Sequence, residues 1–305
     1  MEIDLRQLRY FIAVAEEGHI TRAAERLGMQ QPPLSQRIKA IERELDVQLF
    51  HRKARGVELT DAGRSLFQRA RAMLAEFNQA IETTRRTARG EQGRIRIGVT
   101  LTGPFHPFVP RVIRAFRQAY PLVSLSLEER PSNELVESLQ NERIDAALIR
   151  THPADPQGLA TSFLLDEELV VVLPNDHVLA RNRGDAALSL KALARDTFVI
   201  PGGRFGLGLY ATTIAACRAA GFDPKVGQEA SGAASTLNLV AMGLGISVVP
   251  ASLRRMRMDG VAFRRLKGPA QLKAPLILAS RRGDPSAVVR NFSNLVKRKA
   301  ESFSR

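Results

Sequence analysis

The chain has 305 residues, 44% of them hydrophobic and 25% charged, with a formal net charge of +14 and a single cysteine. That composition belongs to a soluble globular protein long enough for two domains, excludes an intrachain disulfide, and contains no apolar run of membrane-spanning length. The charge invites a nucleic-acid partner, but it is spread unevenly: Lys and Arg against Asp and Glu number 16 to 12 in residues 1–90, 15 to 16 in 91–249 and 14 to 3 in 250–305.

In chain order, Leu5, Leu8, Phe11, Ile12 and Ala15 predict an amphipathic helix ending near Gly18. Ala23, Ala24 and Leu27 give the next helix its apolar face, and Gly28 supplies its stop. Pro32 and Pro33 open a third helix, where a missing N–H costs nothing, and Leu34, Ile38 and Ile41 form its buried stripe. These three helices make a helix-turn-helix core. Gln30, Gln31, Ser35, Gln36 and Lys39 stay outside, and amides, a hydroxyl and a cation suit base edges and phosphates. On this stretch alone, an ordinary helical hairpin with a polar face reads the same way. Residues 47–60 place two short apolar runs around a basic, glycine-containing turn, the pattern of a β-wing with Arg52, Lys53 and Arg55 at its tip.

Thr60-Asp61-Ala62-Gly63 starts a long helix running to about Arg89, with Leu66, Ala70, Met73, Phe77, Ala80 and Thr84 in a heptad seam. Such a helix would extend on the order of 43 Å and outrun a small domain, so the seam predicts a dimer. Ala88 to Gly93 reads as a hinge. Beyond it the period changes. Strands at Arg94–Val99, Val123–Glu129 and Ala146–Ile149 alternate with helices at Val109–Ala119 and Leu135–Leu139, predicting βαβ units and a parallel sheet. The alternation resumes through Leu169–Leu173, Phe198–Ile200, Ile246–Val249 and Leu276–Ala279 and closes with a helix at Ala287–Lys299, enough for two α/β lobes. Cys217 reads as buried filler.

The ordered series Phe11 to Gly18, Ala23 to Leu27, Gln31 to Ser35, Ile41-Glu42, Leu49 to Arg52 and Leu59 to Gly63 resembles the LysR-type transcriptional regulators. The likeness extends to Ile144-Asp145-Ala146-Ala147-Leu148 and to Leu239 through Pro250. It implies a winged helix-turn-helix over 1–59, a dimerising linker helix over 60–89, and a two-lobed, periplasmic-binding-protein-like α/β effector domain over 90–305. In that division lobe I takes about 94–165 plus 269–305, and lobe II about 166–268. The resemblance further implies double-stranded DNA as a partner, a homodimer through the linker helix and a homotetramer built from dimers, with RNA polymerase as a further expected partner, while the single cysteine fits a reducing cytoplasm. By position it makes Gln30, Gln31, Pro32, Pro33, Ser35, Gln36 and Lys39 the recognition surface and Arg52 and Arg55 the wing contacts.

For the effector, ligands of parallel α/β lobes sit beyond strand ends and against helix N-termini, where anions are favoured. Thr100 and Thr102 follow the first strand, Ser132 precedes a helix, and Arg150 ends the Ala146–Ile149 strand. Gly202, Gly203 and Phe205 follow Phe198–Ile200. In the branch sensing aromatic-pathway acids, positions matching Thr100, Ser132, Arg150, Gly202 and Gly203 lie near the ligand, so the resemblance points to a small carboxylate. The plainer alternatives are helix caps for Thr100 and Ser132, and an ion-pair partner for Arg150. No cofactor or metal is expected: phosphate-loop and nucleophile-elbow motifs are absent, and the five histidines lack metal-ligand spacing. An enzyme is therefore not expected. The rival is an architectural DNA-binding protein that ignores small molecules.

Overall fold

The computed structural model describes residues 3–151, 158–181, 187–201, 207–267 and 272–303. They form two compact units, Met1–Arg85 and Arg86–Arg305.

In the first unit α1 (Leu5–Glu17) opens on a capping box in which the Gln7 N–H donates to Asp4 Oδ1 at 2.7 Å and the Asp4 N–H to Gln7 Oε1 at 3.1 Å. Gly18 then turns the chain in left-handed backbone. α2 (Ile20–Arg26) and α3 (Gln31–Leu45) follow, with Gly28 left-handed between them and the prolines in the first turn of α3. Phe11, Val14, Ala23, Leu34 and Ile41 are fully buried among the three helices, so the expected apolar stripes meet in one core. β1 (Phe50–Lys53) pairs antiparallel with β2 (Gly56–Leu59), leaving Ala54 and Arg55 as a two-residue turn. The Val57 N–H donates to Gly18 O at 2.9 Å and ties this wing to the end of α1.

α4 (Asp61–Ala88) starts with the Gly63 N–H donating to Thr60 Oγ1 at 2.9 Å. Leu66 and Phe67 pack on the core and Ala70 is buried in it, whereas Met73 and Phe77 are 55% and 41% exposed. Ala80 and Thr84, the rest of the seam, are exposed as well.

The second unit runs β3 (Gln92–Val99), α5 (Phe108–Ala119), β4 (Leu122–Glu129), α6 (Ser132–Gln140), β5 (Ala146–Ile149), β6 (Leu159–Pro174), α7 (Val178–Arg181) and β7 (Leu188–Ser189). β8 (Thr197–Pro201), α8 (Leu207–Ala219), β9 (Lys225–Ala230), α9 (Ala233–Ala241), β10 (Ser247–Pro250), β11 (Val261–Lys267), β12 (Lys273–Arg281) and α10 (Ala287–Phe303) complete it. Sheet order is β4-β3-β5-β12-β6-β11-β7, with β10 also on β6 and β8 paired with β9. The sheet is mixed, not parallel as the alternating pattern predicted. β3, β4 and β5 are parallel, but β12 runs antiparallel to both β5 and β6.

The reason lies in β6 and β12, which cross between the lobes. Leu159–Glu168 of β6 pairs with β12, and Leu169–Pro174 pairs with β10 and β11. One 16-residue strand therefore serves both lobes, where the sequence pattern marked only Leu169–Leu173. The Ala88–Gly93 segment is also not a free hinge. Gly90 takes a φ of +68°, a Cβ there would lie 2.5 Å from the Ala287 carbonyl carbon, and Asn291 Nδ2 donates to the carbonyls of Arg89 and Gly90. Asp145 anchors the start of β5. Against the upward push of burial, hydrogen bonds from the Arg96 side chain and backbone, with Arg281 nearby, hold its carboxyl below the usual range.

Candidate DNA-reading surface and effector cavity

α3 buries Leu34, Ile38 and Ile41 and therefore turns its opposite face outward. Gln30, Gln31, Pro32, Pro33, Gln36 and Lys39 are exposed and Ser35 is half-buried. Gln30 stands at the N-cap without a side-chain cap bond, so its amide is not engaged by the helix it opens. Pro32, Gln36 and Lys39 fall in one stripe at i, i+4 and i+7, and exposed Arg43 at i+11 extends it by a turn. Arg43 is a candidate the motif reading missed, although the helical period carried the signal. On the wing, Arg52 and Arg55 are exposed, while Lys53 pairs with Glu58 at 2.9 Å. That pairing leaves the two arginines as the tip's better candidates for phosphate.

In the second unit, a cavity of about 130 Å³ opens where the lobes face each other, several times the space one water needs. Thr100 and Thr102 reach it from the end of β3, Ser132 from the start of α6, and Arg150 from the end of β5, so these four predicted residues come together. Gly202, Gly203 and Phe205 lie outside the described residues. The first turns of α8 and α9 line the opposite wall through Gly208, Leu209, Gly232 and Ala233. The starts of α6, α8 and α9 thus all face the cavity, and helix N-termini favour anions.

Neither hydroxyl is a helix cap. Ser132 is the first residue of α6, behind Pro131, and its Oγ accepts the Arg150 backbone N–H at 3.1 Å, which leaves its own proton free to donate. Thr100 is 5% exposed and its Oγ1 has no partner. Arg150, 8% exposed, corrects the picture of an unengaged anion clamp. Its Nη2 meets Glu167 Oε2 at 2.5 Å, its Nη1 donates to Ala274 O at 3.4 Å, and only Nε is without a partner. Glu167 Oε1 in turn accepts the Ser252 N–H at 2.6 Å. Glu167 is the residue that motif reading missed. No local signal marks it, because the half of β6 that carries it breaks strand alternation at Leu164 and Leu165; in the structure it is buried on the face shared with Leu165 and Leu169. Gly208 closes the rim: a Cβ there would sit 1.8 Å from Thr151 Cγ2.

Residues 5–64 match the model of bacterial regulatory helix-turn-helix proteins of the lysR family, and residues 88–301 match the LysR substrate-binding domain. The chain belongs to the LysR family. It is similar to the uncharacterised HTH-type transcriptional regulator YnfL of Escherichia coli (strain K12), at 35% identity over 96% of this chain and 97% of that protein. To the HTH-type transcriptional regulator BudR of Raoultella terrigena it is 36% identical over 95% of this chain and 99% of that one. Full-length CbnR complexed with its target DNA superimposes with a TM-score of 0.84 at 29% identity, covering 98% of this chain and 100% of that one. This LysR-family chain is therefore a DNA-binding transcriptional regulator with a substrate-binding domain, and its relatives are regulators, not enzymes. No described helix is long and apolar enough to cross a membrane.

Proposed function

We propose that this protein binds an operator as a homodimer joined through α4, assembled further into a tetramer, and that a small carboxylate in the interlobe cavity switches its DNA contacts or bend. It acts in the cytoplasm, where its DNA is. The observation that supports the switch is the cavity itself: two buried donors, Thr100 Oγ1 and Arg150 Nε, lack protein partners at a site ringed by helix N-termini. A buried unsatisfied donor costs about 1–3 kcal/mol, which a ligand oxygen would recover.

For the reading surface, α3 and the wing divide the work. Gln31 reads a base edge and Arg55 holds phosphate. Gln31→Ala should weaken the cognate operator more than random DNA, since a bidentate amide–adenine pair discriminates by about 1–3 kcal/mol. Arg55→Ala should weaken both alike and flatten the salt dependence. Binding titrations at several salt concentrations separate the two, and equal losses for Gln31→Ala on both DNAs would remove it from base reading. A protein whose unfolding no metabolite shifts would be the architectural rival.

A further inference from the structure

Residues 250–305 carry 14 cations against 3 carboxylates, an excess that neither α3 nor the wing explains. Part of it is neutralised where it lies: Arg265 pairs with Glu168 at 3.1 Å, Lys273 with Asp166 at 3.5 Å and Arg281 with Asp284 at 2.6 Å. Two groups are not. Arg254, Arg255 and Arg257 lie in and just after the short 3-10 helix Ala251–Met256, and Lys297-Arg298-Lys299 form a run near the end of α10. All are exposed, and among the described residues none forms an ion pair. Asp259 and Glu301, the carboxylates nearest to them in sequence, join no ion pair among the described residues either.

The fold brings the two groups together. Phe303 stands one turn beyond Lys299 on the same side of α10, and its ring lies 5.9 Å from His106. His106 directly follows Phe105, which packs on the core that Leu253 and Met256 also join. Arg111 of α5 lies over the Phe303 ring at 5.6 Å and adds a further exposed cation. None of these cations lines the interlobe cavity. They form a basic ridge on the outside of the second unit.

Like charges crowded without carboxylates repel one another in the free protein, and a polyanion relieves that repulsion. The ridge also lacks what a protein partner needs. Among the described residues, no exposed large hydrophobic side chain lies on α5, on α10 or on the 3-10 helix, whereas protein interfaces are built round an apolar centre. A DNA duplex presents a phosphate charge about every 1.7 Å along its axis and is held through cations alone. The helix-turn-helix already brings a duplex to this protein, so a weak second contact acts at high effective concentration.

We propose that this ridge is a second DNA-contact surface, which takes phosphates of the duplex outside the bases that α3 reads. It adds affinity and salt dependence without sequence preference.

The full chain is titrated by fluorescence anisotropy, at several salt concentrations, against an operator that it selects from random duplexes. The operator is first trimmed to the selected bases and then extended by about two helical turns on each side. The unaltered protein should bind the extended duplex more tightly and with a steeper salt slope. Lys297→Gln/Arg298→Gln/Lys299→Gln should flatten that slope by up to about 3 and weaken binding to the extended duplex roughly tenfold, leaving the trimmed one unchanged. Arg254→Gln/Arg255→Gln should act the same way in smaller measure, and Lys297→Arg/Lys299→Arg should bind like the parent. Arg265→Gln, which removes a paired cation, should keep the parent's slope. Equal slopes for the triple variant and the parent on the extended duplex, equal losses on both duplexes, or an Arg265→Gln variant as weak as the triple one would each overturn the proposal. So would a triple variant that binds both duplexes as the parent does but sediments differently without DNA, an outcome that marks the ridge as a contact between copies.

Discussion

Burial pushes the His106 imidazole below its ordinary range, with Arg150 and Arg255 adding to the push and Glu167 opposing it. Its Nδ1 accepts the Phe108 N–H at 3.2 Å at the start of α5, so the neutral ring is the form the fold uses. The sign of the pH effect follows. Below the unperturbed value of 6.5 the unfolded chain takes up a proton that the folded chain resists, so the unfolded state binds more protons and stability falls as pH drops. Above that value the contribution is complete. His106→Asn keeps an acceptor for the Phe108 N–H without a titrating ring. Thermal unfolding of the variant should therefore lose less stability than the parent between pH 7 and 5, and parallel curves would show that His106 is not the group responsible. Cys217 is a contrasting case at the same scale: burial pushes its thiol up to about 11, which keeps it unreactive, as expected of a buried filler.

At the scale of elements, α4 carries the clearest consequence. Its seam was legible because the 4-3 spacing of Leu66, Ala70, Met73, Phe77 and Ala80 is a one-dimensional signal. The structure divides it: the first turns pack on the helix-turn-helix core, and Met73 and Phe77 stay exposed, as a surface waiting for a second copy would be. Phe77→Asp places a charge in that seam. Sedimentation should show the variant dissociating at concentrations where the parent is a dimer, with loss of operator affinity because one hairpin reads only a half-site. An unchanged sedimentation profile would exclude α4 as the dimer contact. The strands were less legible. β6 reads as a short apolar run because its first half ends in Leu164-Leu165 followed by Asp166-Glu167-Glu168, a block pattern without strand alternation, and only pairing with β12 over nine residues makes that half a strand. The bulge at Leu276/Ile277 brings Leu164 and Leu165 both into the core beneath α10, which simple alternation forbids.

For the whole molecule, the two lobes of the second unit come into direct contact beside the cavity. Gly208 of α8 and Thr151 beyond β5 touch at the cavity rim with no room for a Cβ between them. Gly208→Val should lower the melting temperature, and Thr151→Ala added to it should restore part of the loss, because neighbours in contact do not add independently. Strict additivity in that double-mutant cycle would mean the rim contact is not what valine disturbs. The sequence by itself determined the helix-turn-helix, the wing, the seam and the alternating α/β half, since caps, prolines and apolar periods are local and survive projection onto one dimension. Only the tertiary structure decided that the sheet is mixed, that the Gly90 segment is anchored on α10, and that Arg150 is paired. Those outcomes rest on contacts between residues as far apart in sequence as Arg150 and Ala274, or Glu167 and Ser252, where which donor meets which acceptor depends on how the lobes pack.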